Sequence, residues 1–364
     1  MQNSNIKKTI DKNKEVTRFV NHFEALENDK RRMNAVRLNN KRMITMPTFT
    51  RDILLAKPER LFDFQYTNEE TLDVFDNYKI NVKRICNVYQ TEYRDGKYPT
   101  GFGDFIRGCY FLMDFCDRNN IKFDYAIHHP ISKCLKWKRS IQVNKSVVFF
   151  TENNCISHTV RDDNTIHTET GDVDGKLKKF LAKKSLTYNG AAYIYNIVYP
   201  SHKISNRHKE YMRLMLAPSL EMSRLVDAVL HKFQLTPRAY HVVQVRSGDE
   251  NAFTIDDKYI NSVCKETDTN IPTILIADNN DVKRLIVNRL PRLHAIYEPI
   301  THLGEGVVQE DERVKNTMVD FYIMANAHSI FSLTCYEHGS GFSQWCAETF
   351  NVPYVCKLVR PIAI

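Results

Sequence analysis

From residue 240 onward the chain alternates short apolar runs of β character with helical stretches, and this alternation restricts the fold more than any other feature. Strands are expected at 241–245, 273–277, 294–297, 329–333 and 353–356, with helices opening at Asp281 and covering about 316–327 and 342–350. Parallel neighbours need a long return connection, so strands that alternate with helices build a parallel sheet with right-handed crossovers. Ligands in such sheets settle outside the carboxyl ends of the strands. A shorter unit of the same kind stands in the first half. Residues 84–92 alternate apolar and polar, and 122–127 read as the next strand. Between them a helix from about Phe105 sets Phe105, Cys109, Leu112, Met113 and Cys116 on one face, with Asp104 expected to cap its start. Residues 147–150 and 191–199 add strand candidates, whereas 151–190 show the least pattern. After Pro218 an amphipathic helix repeats Met222, Leu225, Val226, Val229, Leu230 and Phe233 at helical spacing, and Leu235-Thr-Pro-Arg238 breaks it. No repeat at a solenoid period is present.

Length agrees with two such units, since domains cluster near ~100–200 residues. The expected organisation is a basic helical leader or cap over 1–60, an N-terminal α/β domain over 61–236 and a C-terminal Rossmann-like domain over 237–364. The formal net charge of +8 raises nucleic acid as a partner, but residues 1–60 hold 14 Lys and Arg against 7 Asp and Glu. The remainder is nearly neutral, so no nucleic-acid partner is expected. The leader is read as a solvated helix face, or as a peripheral contact for a membrane surface or polyanion. Nine scattered cysteines without zinc spacing point to free buried thiols in a reducing compartment. With no ~18–20-residue apolar stretch and a polar start, the expectation is a cytoplasmic protein without a transmembrane segment.

Three motifs can carry chemistry. In the first, Gly101, Phe102, Gly103, Asp104, Arg107 and Gly108 lie between a strand and a helix, where glycines admit a ligand to the backbone and a helix start offers free N–H groups. The G-x-G-x4-G spacing departs from the dinucleotide fingerprint by two residues. A tight turn with a surface arginine is the plainer alternative. In the second, the strand from His241 ends in Arg246-Ser-Gly-Asp249. A guanidinium at the carboxyl edge of a sheet suits a diphosphate, because its planar fork donates two hydrogen bonds and keeps its charge. A salt bridge to Asp249 is the structural alternative. The third, Ser332 to Ser343, joins a strand to a helix through Gly339, Ser340, Gly341, Phe342 and Ser343, which reads as an anion cradle. Between the last two, Asp278 ends another strand, positioned to accept from a ribose or base.

These motifs, in this order and together with Thr317-Met-Val-Asp-Phe-Tyr, resemble the α1,6/α1,2 and protein O-fucosyltransferase superfamily over about residues 84–357. The resemblance implies a GT-B-like fold, two Rossmann-like domains facing across a cleft. It also implies an inverting, metal-independent glycosyltransferase with GDP-fucose as donor substrate, no cofactor, and a glycan or glycoconjugate acceptor. By the same match Arg246 contacts the donor phosphates and Asp278 the nucleoside. Ser340, Gly341, Phe342, Ser343 and Thr317 serve the diphosphate, while Gly101, Phe102, Gly103, Asp104 and Arg107 serve donor or acceptor from across the cleft. Many members carry His two residues before the arginine, where this chain has Gln244.

Negative charge grows on the leaving diphosphate as the glycosidic bond breaks, and Arg246 with the helix start at 340–343 would stabilise it as a metal does elsewhere. For the general base Asp104, Asp249, Glu305 and Glu337 are candidates, with Asp249 preferred. Asp172-Val-Asp174 imitates a DxD metal motif but lies in polar surroundings and is expected to be a solvated loop. The thirteen histidines, His128 and His129 among them, are read as structural. Competing readings are transfer from another nucleotide sugar, a non-catalytic nucleotide- or sugar-binding protein, and a polyanion adaptor acting through the leader.

Overall fold

The computed structural model describes residues 82–93, 96–137, 147–151, 156–170, 173–183, 187–188, 190–247, 260–261, 263, 271–304 and 310–359. The leader, Asp172, Asp249 and Glu305 lie outside the described residues. Two parallel sheets organise the chain, the α/β architecture that the strand–helix alternation requires.

The first sheet grows from β1 (Arg84–Gln90), α1 (Phe102–Arg118) and β2 (Lys122–His128). It is extended by β3 (Val148–Phe150), β6 (Thr187–Tyr188) and β7 (Ala191–Asn196). Its order is β2-β1-β7-β3, all parallel, with β6 antiparallel on β7. Helix α1 begins three residues before the expected position. Gly101 is its N-cap, and Asp104 lies in the first turn, where it pairs with Arg107 instead of capping. Thirteen of its seventeen residues are buried, because α1 lies between its own sheet and a helix of the second half.

The segment that showed least pattern forms an antiparallel hairpin of β4 (Ile156–Val160) and β5 (Ile166–Thr170), followed by α2 (Asp174–Leu181). Helices α3 (Asn206–Met215) and α4 (Leu220–Lys232) follow β7, each started by a serine side chain accepting from the third amide on, Ser205 from His208 and Ser219 from Met222.

The second sheet holds β8 (His241–Arg246), β9 (Thr273–Ala277), β10 (His294–Ala295), β11 (Ser329–Thr334) and β12 (Tyr354–Leu358). The helices α5 (Asn280–Arg289), α6 (Asp311–Ala325) and α7 (Gly341–Phe350) connect its strands. Its order is β10-β9-β8-β11-β12 and every pairing is parallel. Counted from β8, that is 3-2-1-4-5, the doubly wound order in which the direction of strand addition reverses between the first and fourth strands. The reversal opens a crevice between the ends of β8 and β11.

One apolar cluster runs through both halves, from Tyr89, Phe102 and Phe105 to Phe321, Trp345 and Phe350. Polar bonds fix its register: Tyr110 Oη donates to Thr349 Oγ1 (2.9 Å) and Tyr322 Oη to the carbonyl of Leu216 (2.8 Å). Within the first half, Asn196 Nδ2 donates to the carbonyl of Gly108, where a Cβ would overlap the Asn196 backbone. The hairpin reaches the far edge of the second sheet, with an antiparallel bridge between Thr165 and Lys357 and a bond from Leu358 N to Asn164 O (2.9 Å). No described helix is long and apolar enough to cross a membrane.

Candidate active site

The second sheet presents Arg246 where β8 ends, at the reversal of strand order. Its Nη1 donates to Asp278 Oδ2 (2.8 Å), and both side chains are more than four-fifths buried. Asp278 stands just past the end of β9, and its carboxylate also accepts from the Ser247 amide and hydroxyl. Asp278 therefore orients the guanidinium and the turn behind it. Tyr336, in the loop after β11, lies with its ring centre 5.5 Å from the same guanidinium.

That loop continues through His338, whose ring stacks on Tyr336 at 5.1 Å and 30°. It ends at Ser340, the N-cap of α7. The Ser340 side chain caps no amide there, and the first turn of α7 presents the positive end of its dipole. Beneath it, Gln244 Oε1 accepts from Ser332 Oγ (2.6 Å) and Ser343 Oγ (3.1 Å) in a buried network. The hydroxyl of Ser343 is thus committed to the interior.

From the first sheet, Arg107 approaches the same region. It is 8% exposed, pairs with Asp104 at 3.0 Å, donates from Nε to the Ile197 carbonyl (2.5 Å) and lies 4.0 Å over the Tyr199 ring. The arginine in Gly-Phe-Gly-Asp-x-x-Arg-Gly is fixed inside, where the plainer reading had it on the surface.

Helix starts α1 and α7 meet directly. A Cβ on Gly103 would overlap the Gly341 carbonyl group and come within 2.6 Å of the Phe342 amide nitrogen. Glycine at 103 is what lets the two N-termini abut. Around this junction a run of aromatic and cationic contacts joins the halves. Arg246 adjoins Tyr336, Tyr336 stacks on His338, His338 lies 6.3 Å from His158, His158 lies 6.0 Å from Tyr199, and Tyr199 carries Arg107. His158 is brought by β4, and its Nδ1 is 3.0 Å from Thr168 Oγ1 on β5. Burial lowers the pKa of both histidines from the ordinary value. For His158 the neighbours His338 and Arg107 add to the effect.

The structure thus gathers Gly101, Gly103, Asp104, Arg107, Arg246, Asp278, Ser340 and Gly341 at the facing carboxyl edges. Other expected contacts are used elsewhere. Phe102 is buried against Tyr89, Phe105 and Phe321 as core. Phe342 lies 5.4 Å from the Phe321 ring. Thr317 Oγ1 accepts from Thr301 N (3.0 Å) and bonds the carbonyls of Thr301 and Arg313, so it holds the 299–302 segment on α6. Asp174 pairs with Arg118 at the opposite end of α1, about 24 Å from the junction at 1.5 Å per residue. Of the candidate bases, Asp104 is paired with Arg107, and Glu337 is exposed beside His338. The local sequence did not single out His158, Tyr199, Tyr336 or His338. Loop position after a strand was the available signal for the last two, while His158 sits in the segment without pattern.

No family model and no curated protein matches this chain. Among solved structures, it is similar to fucosyltransferase NodZ from Bradyrhizobium at 12% identity, over 78% of this chain and 97% of that one, with a TM-score of 0.46. It is also similar to a mutant of FUT1 from Arabidopsis thaliana in complex with GDP, at 10% identity over 84% and 73% with a TM-score of 0.47. A third likeness is to the E. coli heptosyltransferase WaaC with ADP-2-deoxy-2-fluoro heptose, at 12% identity over 74% and 87% with a TM-score of 0.30.

Proposed function

We propose that the chain is an inverting, metal-independent glycosyltransferase that takes fucose from GDP-fucose and passes it to a glycan. The observation that carries this reading is Arg246, a guanidinium held by Asp278 at the reversal point of a 3-2-1-4-5 parallel sheet, near the N-terminus of α7, which carries no side-chain cap. That is where a doubly wound sheet takes a nucleotide, and the two groups together match a diphosphate. The motif order that resembles the fucosyltransferase superfamily supplies the donor sugar.

In this reading the backbone donors of Gly341, Phe342 and Ser343 and the fork of Arg246 bind the diphosphate. Their charge stabilises the leaving group as the bond to the anomeric carbon breaks, so no metal is required. Asp278 positions Arg246, which revises its expected contact with the nucleoside. Arg107 and Asp104 hold the donor or acceptor sugar from the first sheet. The acceptor hydroxyl attacks the face opposite the departing diphosphate, which inverts the anomeric centre.

Thermal unfolding of the purified protein in EDTA with GDP, GDP-fucose, UDP and UDP-sugars tests this. A ligand at 100 times its dissociation constant adds about 2.7 kcal/mol of stability. The guanosine ligands should raise the midpoint, and Arg246→Ala should abolish the rise and cost ~10²–10³ in turnover. Stabilisation by UDP-sugars alone would reassign the donor. No shift with any nucleotide on the folded protein would exclude the glycosyltransferase reading.

A further inference from the structure

We propose that His338 is the general base that takes the proton from the attacking hydroxyl; this rests on the transferase reading above. The imidazole stands in the loop between β11 and α7, stacked on Tyr336, which in turn adjoins Arg246. On its other side it faces His158 of the hairpin at 6.3 Å. It is thus next to the diphosphate group of contacts while pointing toward residues of the first half, which the acceptor must approach. The residue keeps an exposed surface, so a hydroxyl can reach it.

The charged and titratable groups around it come from four elements of both halves. Asp104 and Arg107 of α1 and Arg246 of β8 act on it electrostatically, while His158 of β4 lies 6.3 Å away and Glu337 precedes it in the loop. Burial lowers its pKa from the ordinary 6.5, Asp104 opposes this, and Arg107 and Arg246 reinforce it. A histidine placed to bind phosphate would gain from being charged; the surroundings of this one favour its neutral form, the form that accepts a proton. Two of the described carboxylates at the site are already committed to arginines. Asp104 is tied to Arg107 and Asp278 to Arg246.

In the step, the acceptor oxygen bonds to the anomeric carbon as the carbon–oxygen bond to the β-phosphate breaks, its electron pair leaving on GDP. The hydroxyl proton moves to the imidazole and later to solvent. Water serves as the acceptor in the absence of a glycan, and gives hydrolysis by the same proton transfer.

Hydrolysis of GDP-fucose, followed as GDP release, tests the assignment with water and with sodium azide as nucleophiles. Azide attacks without losing a proton and needs no base. His338→Ala should retain the GDP-induced thermal shift, lose about 10²-fold or more of hydrolysis, and regain turnover at least tenfold with azide while the wild type does not. The wild-type rate should fall as the pH drops below the ordinary histidine value, a limb that the variant lacks. Wild-type hydrolysis by His338→Ala, or a loss that azide does not repair, overturns His338 as base and leaves the transferase reading in place. A wild-type protein that is not stabilised by GDP and does not turn GDP-fucose over overturns both.

Discussion

Single residues decide how closely the two halves of the site approach. Gly103 and Gly341 touch, yet the contact is asymmetric. A methyl at 103 overlaps the backbone of Gly341, whereas the nearest atom to one at 341 is a side-chain oxygen, that of Asp104, at 3.2 Å. Gly103→Ala should therefore destabilise by roughly 1–3 kcal/mol, as overpacked cores do. Gly341→Ala, with alanine's better helix propensity, should change stability little. Urea denaturation of both variants checks this, and equal losses would contradict the asymmetry. The glycines were legible as a close-approach motif from their place between strand and helix. That their partner is another helix start, 238 positions away, was not, because local spacing carries no information on which surfaces meet. The same limit hid His158 and His338, which become neighbours only once the hairpin folds across.

At the scale of elements, α5 and α6 lie against the second sheet with a buried ion pair between them. Lys283 is 1% exposed, its Nζ lies 3.6 Å from Asp320 and donates to the Ile296 carbonyl (2.9 Å). Removing one partner strands the other charge, so Lys283→Met should cost about 3–5 kcal/mol. Adding Asp320→Leu should recover most of the loss, because an apolar pair can replace a buried ionic one. Chemical denaturation of both variants decides the matter; a double variant as unstable as the single would show that packing, not charge, sets the cost. Strands β8, β9 and β11 were readable because buried parallel strands are nearly continuous apolar runs. The hairpin was not, since β4 and β5 carry polar residues through their middles and form a two-stranded sheet of their own. Helix α1 was placed three residues late because Asp104 has the chemistry of a cap, while Gly101 supplies the backbone geometry without a side-chain bond.

For the molecule as a whole, the shared apolar cluster has a thermodynamic consequence. Two sheets joined by one core should unfold together even though each has the strand order of a self-contained unit. The two tryptophans report on this: Trp137 lies between β2 and β3 of the first sheet in sequence and Trp345 lies on α7. Single-tryptophan variants Trp137→Phe and Trp345→Phe should give fluorescence transitions with the same urea midpoint. Separated midpoints would mean that the halves are independent and that the boundary expected near residue 236 is also an energetic one.

A fully parallel sheet leaves two outer strands whose unpaired amides and carbonyls invite another chain to add on. Here one outer strand, β10, has only two residues, and the other, β12, is met by the hairpin through Asn164 and Thr165. The hairpin that brings His158 to the site therefore also guards the protein against edge-to-edge aggregation.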